Sequence, residues 1–144
     1  MSGQQKQTIL IVEDYQDSRA MSVMLLEDLD YRVLAVGNGR EALQLAIREK
    51  PDLVLTDFNL PDIDGITLTR CIRKLSQELA GIPVIMITAR EREEVYEMAV
   101  AAGCNAVLTK PVSFSFLEDS IRTLLEHSMY RWPRDFETER RTLA

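Results

Sequence analysis

Five short apolar runs recur along the chain: "TILIV" at 8–12, "RVLAV" at 32–36, "DLVLT" at 52–56, "PVIMIT" at 83–88 and "AVLT" at 106–109. Each is near-continuously hydrophobic rather than alternating, which suits parallel strands covered by helices on both faces. Helix-length segments lie between them. In the third, Leu68, Cys71, Ile72, Leu75 and Leu79 fall on one face at three-to-four spacing, and in the last Phe114, Leu117, Ile121 and Leu124 do the same. Gly37, Gly39, Gly65, Gly81 and Gly103, with Pro51, Pro61, Pro83 and Pro111, all fall between periodic segments. Strand and helix thus alternate five times, which predicts an α/β fold: an open five-stranded parallel sheet, doubly wound, with right-handed crossovers.

Length and composition narrow the picture. A chain of 144 residues, 46% hydrophobic and 28% charged, fits one globular domain with a proper core. No apolar run approaches the roughly 18 residues of a membrane helix, and "MSGQQKQ" lacks the basic and apolar regions of a signal peptide. A cytoplasmic protein without membrane contact is expected. The net charge of -6 argues against a nucleic-acid backbone as direct partner. Cys71 and Cys104 lie far apart and outside any C-x-x-C spacing, so they read as free thiols. From Ser128 onward four arginines face three acids, and Pro133 cuts the last helical pattern. Residues 1–128 are therefore expected to form the domain, and 129–144 the end of the last helix and a polar tail with no output domain. His127 reads as a helix C-terminal charge, and Tyr130 and Trp132 as core packing or a partner anchor.

In open α/β sheets, sites form at the carboxyl ends of the strands, near the point where strand order reverses. Glu13 and Asp14 follow the first strand, Asp57 the third, Thr88 ends the fourth, and Thr109 ends the fifth, just before Lys110 and Pro111. Any one of these has a bland reading, as a helix cap or a solvated charge. Three carboxylates, the Thr88 hydroxyl and the Lys110 amine, all at carboxyl ends, point instead to one shallow pocket. Two carboxylates about 4 Å apart repel by about 4 kcal/mol at an effective dielectric near 20. A cation is required, and an acid cluster with no His or Cys suits magnesium. Such an ion beside a lysine and a threonine hydroxyl is poised to handle a phosphoryl group, with the spare carboxylate as nucleophile.

Four landmarks, "VED" (12–14), "LTDFNLPDIDG" (55–65), "ITA" (87–89) and "GCNAVLTKP" (103–111), occur in an order and spacing that resembles the receiver domain of two-component response regulators. The resemblance runs from Thr8 to about His127. It implies a flavodoxin-like strand order of 2-1-3-4-5. It also implies that Asp57 accepts a phosphoryl group from a sensor histidine kinase or histidine phosphotransfer protein. Asp14 would ligate magnesium directly, Glu13 mainly through water, and Asn59 through its backbone carbonyl, with Asp57 completing the set. Thr88 and Lys110 would contact the phosphoryl oxygens, and the Lys110–Pro111 bond would be cis. Residues 91–128, with Arg92, Glu93, Tyr96, Glu118 and Arg122 on the exposed side, would read out the switch to a downstream partner or a homodimer.

Val107 stands where the family usually carries Tyr or Phe, four residues after Gly103, so the aromatic that usually couples to the threonine is absent. Asn59 and Arg90 resemble positions that tune phosphate lifetime. The expected activity is self-phosphotransfer and autodephosphorylation only, not turnover of a substrate. The alternative is a phosphatase or phosphotransferase that also forms an aspartyl phosphate. Such enzymes generally want an acid two residues after the nucleophile, and here that position is Asn59. A dinucleotide-binding domain is disfavoured because no G-x-G-x-x-G follows the first strand. A receiver used only as scaffold would be expected to lose the acceptor or the lysine.

Overall fold

The computed structural model describes residues 6–89 and 92–126. The elements run β1 (Thr8–Val12), α1 (Gln16–Asp28), β2 (Arg32–Val36), α2 (Gly39–Glu49), β3 (Leu53–Asp57), α3 (Gly65–Leu75), α4 (Gln77–Ala80), β4 (Val84–Thr88), α5 (Glu93–Ala102), β5 (Ala106–Thr109) and α6 (Phe114–Glu126). All strand pairs are parallel, in the order β2-β1-β3-β4-β5. The expected architecture and strand order are both present.

Strand alternation divides the core in two. Ile9, Ile11, Leu53, Leu55, Ile85 and Leu108 point to the side carrying Leu26 of α1 and Ile121 and Leu124 of α6. Leu10, Val12, Val54, Val84, Met86 and Val107 point to the opposite side, against α2, α3, α4 and α5. With both faces covered, β1, β3, β4 and β5 need no polar alternation, which is why their sequences are so uniformly apolar. The edge strand β2 differs, with Arg32 exposed and Val33 to Val36 only half buried.

Two expectations are corrected. The periodic segment reaching Leu79 is not one helix: the backbone is extended at Ser76, whose side chain accepts the Leu79 amide at 3.2 Å and starts the four-residue α4. Leu79 remains buried, so the apolar spacing was right while the continuity was not. Serine competes for local backbone hydrogen bonds, and here that breaks the helix. On the 91–128 surface, Arg92, Glu93 and Arg122 are exposed, but Tyr96 and Glu118 are half buried, and Tyr96 packs against the core. Arg90, His127, Tyr130, Trp132 and the 129–144 tail lie outside the described residues.

Candidate functional site

β1 lies between β2 and β3, so the strand order reverses at the β1/β3 boundary. In-register pairing of Val12 with Thr56 puts the end of β1 beside the end of β3, and Asp57 lies opposite Ile87 of β4. Thr88 in turn pairs with Thr109 of β5. Glu13, Asp14, Asp57, Thr88 and Lys110 thus meet along one rim of the sheet. One carboxylate oxygen from each of Glu13, Asp14 and Asp57 lies within 4.8 Å of the others. The Lys110 ammonium stands 3.4 Å from Asp57 Oδ1.

The capping alternative for these groups does not hold. Tyr15 occupies the N-cap of α1 without a side-chain cap bond, Asp64 caps α3 through the Thr67 amide, and Arg92 occupies the N-cap of α5. Glu13, 9% exposed, accepts a bond from the Tyr15 amide at 3.1 Å. Arg19, one turn into α1, donates to the Glu13 carbonyl at 2.9 Å and steadies the acidic corner. Sequence reasoning missed Arg19 because nothing but its distance along α1 connects it to Glu13.

Asp57 carries the electrostatic cost. Its side chain is only 12% exposed. Burial, and then the adjacent Glu13, raise its pKa from 3.8 to about 7, against the opposing pull of Lys110. With every like-charged pair within 4.8 Å, each repels by at least about 3.5 kcal/mol at an effective dielectric near 20. One half-exposed lysine offsets part of that. Three carboxylates without nitrogen or sulfur ligands form a hard oxygen donor set, which fits magnesium and does not suit zinc or copper.

The surroundings hold this arrangement in place. Gly65 donates to the Phe58 carbonyl at 2.7 Å, closing the loop after Asp57. A Cβ on Gly65 would stand 2.5 Å from the Asp57 carbonyl and 3.2 Å from Met86 Sδ. Only glycine permits α3 to begin that close to the acid. Thr88 is buried, and its carbonyl accepts the Lys110 amide at 2.8 Å, joining the two strand ends. The Lys110–Pro111 bond is cis, as the resemblance implied. Asn59 is exposed in the loop between β3 and α3. Val107 is 2% exposed and pairs with Met86, so an aliphatic side chain fills the place of the usual aromatic.

A doubly wound parallel sheet with an acid triad and a lysine at its switch point defines the class: a flavodoxin-like domain with a charged cluster at the carboxyl ends of its strands. Residues 9–122 match the response regulator receiver domain family, and the chain belongs to that family. The polar-differentiation response regulator DivK of Brucella anthropi is 34% identical over 118 residues, spanning 82% of this chain and 95% of that protein. Among solved structures, a CheY-like response regulator receiver domain protein from Methanospirillum hungatei superposes with TM-score 0.81 at 29% identity, covering 86% of this chain and 97% of its own. The chemotaxis response regulator CheY4 of Vibrio cholerae gives TM-score 0.78 at 26% identity, covering 83% and 99%. The chain is therefore a receiver domain, the regulatory module of two-component signalling. No helix among the described residues is long and apolar enough to cross a membrane.

Proposed function

We propose that this protein is a phosphorylation-dependent cytoplasmic switch in which Asp57 takes a phosphoryl group from the phosphohistidine of a sensor kinase or phosphotransfer protein. The observation that carries this reading is the convergence of Glu13, Asp14 and Asp57 within 4.8 Å, with Lys110 3.4 Å from Asp57. In the transfer an Asp57 carboxylate oxygen forms the new O–P bond as the donor's N–P bond breaks, and the imidazole leaves with its electron pair. The nucleophile must be ionised. With a pKa raised to about 7, Asp57 is only partly so near neutrality; a cation held by the acid cluster would favour its ionised form, with the proton released to solvent. Glu13, Asp14, Asp57 and the Asn59 carbonyl would hold magnesium, which supplies positive charge to the phosphoryl oxygens. Lys110 and Thr88 would bond those oxygens once the group is attached.

Two charge-assisted hydrogen bonds are worth about 1.5–3 kcal/mol each. Moving a population from about 1:99 to 99:1 takes about 5.5 kcal/mol, which the pair reaches near the upper end of its range of about 3–6 kcal/mol. With Val107 in place of an aromatic, the change passes through the β4–β5 ladder to the 91–128 surface, which contacts a downstream partner or a second copy.

A phosphatase using the same intermediate is disfavoured by the fate of the nearby acids. Asp64 is spent on the Thr67 amide and Asp62 on three other amides, and Asn59 cannot act as a general acid. The test is incubation with magnesium and acetyl phosphate followed by intact mass. One added phosphoryl group, absent in Asp57→Ala and in chelator, is the expected result. Phosphorylation that persists in Asp57→Ala would overturn the reading.

A further inference from the structure

The loop from Phe58 to Asp64 is closed at its base, because Phe58 donates to the Ile87 carbonyl and Gly65 to the Phe58 carbonyl, at 2.8 and 2.7 Å. Its tip carries Asn59, Pro61 and Asp62, all exposed. The tip is nevertheless moored. Asp62 Oδ1 accepts the Gly39 amide at 2.9 Å and the Ile63 amide at 2.8 Å, and Oδ2 accepts the Arg40 amide at 2.8 Å. Gly39 and Arg40 open α2, whose first amides have no partner inside the helix. The third, Glu41, is satisfied locally by Asn38 Oδ1 at 2.8 Å. The start of α2 is therefore capped twice, by its own Asn38 and by a carboxylate 23 residues away from Gly39. The two segments pack closely, and a Cβ on Gly39 would push the Ile63 side chain aside.

We propose that Asp62 is a positioning residue that ties the β3–α3 loop to the start of α2 and so holds the Asn59 carbonyl ready for magnesium. This rests on the metal reading above. A loop anchored only at its base would have to give up conformational freedom on each binding event. With Asp62 in place, that ordering precedes the metal. By linkage the effect is reciprocal, and magnesium strengthens the Asp62 bonds to α2. The competing view is that Asp62 merely caps α2. The two views differ on Asn38, which caps the same helix from its own side and holds no part of the loop.

The experiment is calorimetric titration of magnesium into the wild-type protein, Asp62→Ala, Asp62→Asn and Asn38→Ala, with hydrogen exchange at the Gly39 and Arg40 amides. Magnesium affinity is expected to fall by about tenfold in Asp62→Ala and about threefold in Asp62→Asn, which keeps one acceptor oxygen. Asn38→Ala stays within about twofold of wild type despite its lost cap. Magnesium slows exchange of the two amides in the wild type and not in Asp62→Ala. Equal weakening in Asn38→Ala and Asp62→Ala, or unchanged affinity in both Asp62 variants, would overturn the proposal. A wild-type protein that takes up no magnesium would overturn the metal reading itself, and the positioning role with it.

Discussion

Replacing Asp57 by Asn keeps the side chain's size and removes its charge, so it measures the electrostatic cost of the site. The carboxyl of Asp57 rises from 3.8 to about 7 on folding. The folded state therefore holds a proton that the unfolded chain releases between about pH 4 and 7, and stability falls across that window as pH rises. At 1.36 kcal/mol per unit the full shift amounts to about 4 kcal/mol. Relaxation of the side chains and water entering at the rim of the sheet leave about 2 kcal/mol of that. In chelator at pH 8, Asp57→Asn should then unfold about 6 °C higher than wild type by circular dichroism, at about 3 °C per kcal/mol. The gain shrinks below pH 7 and vanishes toward pH 4. Magnesium reverses the comparison, because at 100 times its dissociation constant it stabilises the wild type by about 2.7 kcal/mol and the variant much less. A variant no more stable than wild type at pH 8 in chelator, or equally stabilised by magnesium, would refute the reasoning.

Two further outcomes concern the scaffold. The Arg73 guanidinium donates to the carbonyls of Ile82 and Gly103, both at 2.6 Å, and to Asn105 Oδ1 at 2.9 Å, clasping α3 to the segments that lead into β4 and β5. Arg73→Ala should cost about 3 kcal/mol in urea unfolding, and Arg73→Lys should recover little of it because one ammonium nitrogen cannot reach acceptors that the guanidinium meets from separate nitrogens. Gly65→Ala places a methyl group 2.5 Å from the Asp57 carbonyl. It should destabilise the fold by about 1–3 kcal/mol and slow acetyl phosphate labelling more than its stability loss accounts for.

Much of the fold and most of the candidate site can be read from short stretches of sequence, because both depend on local rules. Parallel strands buried on two faces leave continuous apolar runs, and glycine and proline mark where they stop. The first residues past those runs lie at carboxyl ends, so Glu13, Asp14, Asp57, Thr88 and Lys110 could be grouped before their distances were known. The cap at Asp64 follows the same local logic. The break at Ser76 escaped that logic, since Leu79 keeps the helical spacing in a separate turn. Tyr96 also did, because its place in a charged segment hid its contact with the core.

The sequence alone determined which residues form strands and helices and which chemistry stands at the strand ends, since both follow from periodicity and position within single elements. Tertiary structure decided everything that joins distant elements through side chains. Arg19 holds the acidic corner, Asp62 moors the acceptor loop to α2, and Arg73 fastens the opposite end of the sheet. These are bonds to backbone groups 6, 23 and 30 residues away, and no repeating pattern announces them. The raised pKa of Asp57 belongs with them, because burial and the approach of Glu13 exist only once β1 and β3 lie side by side.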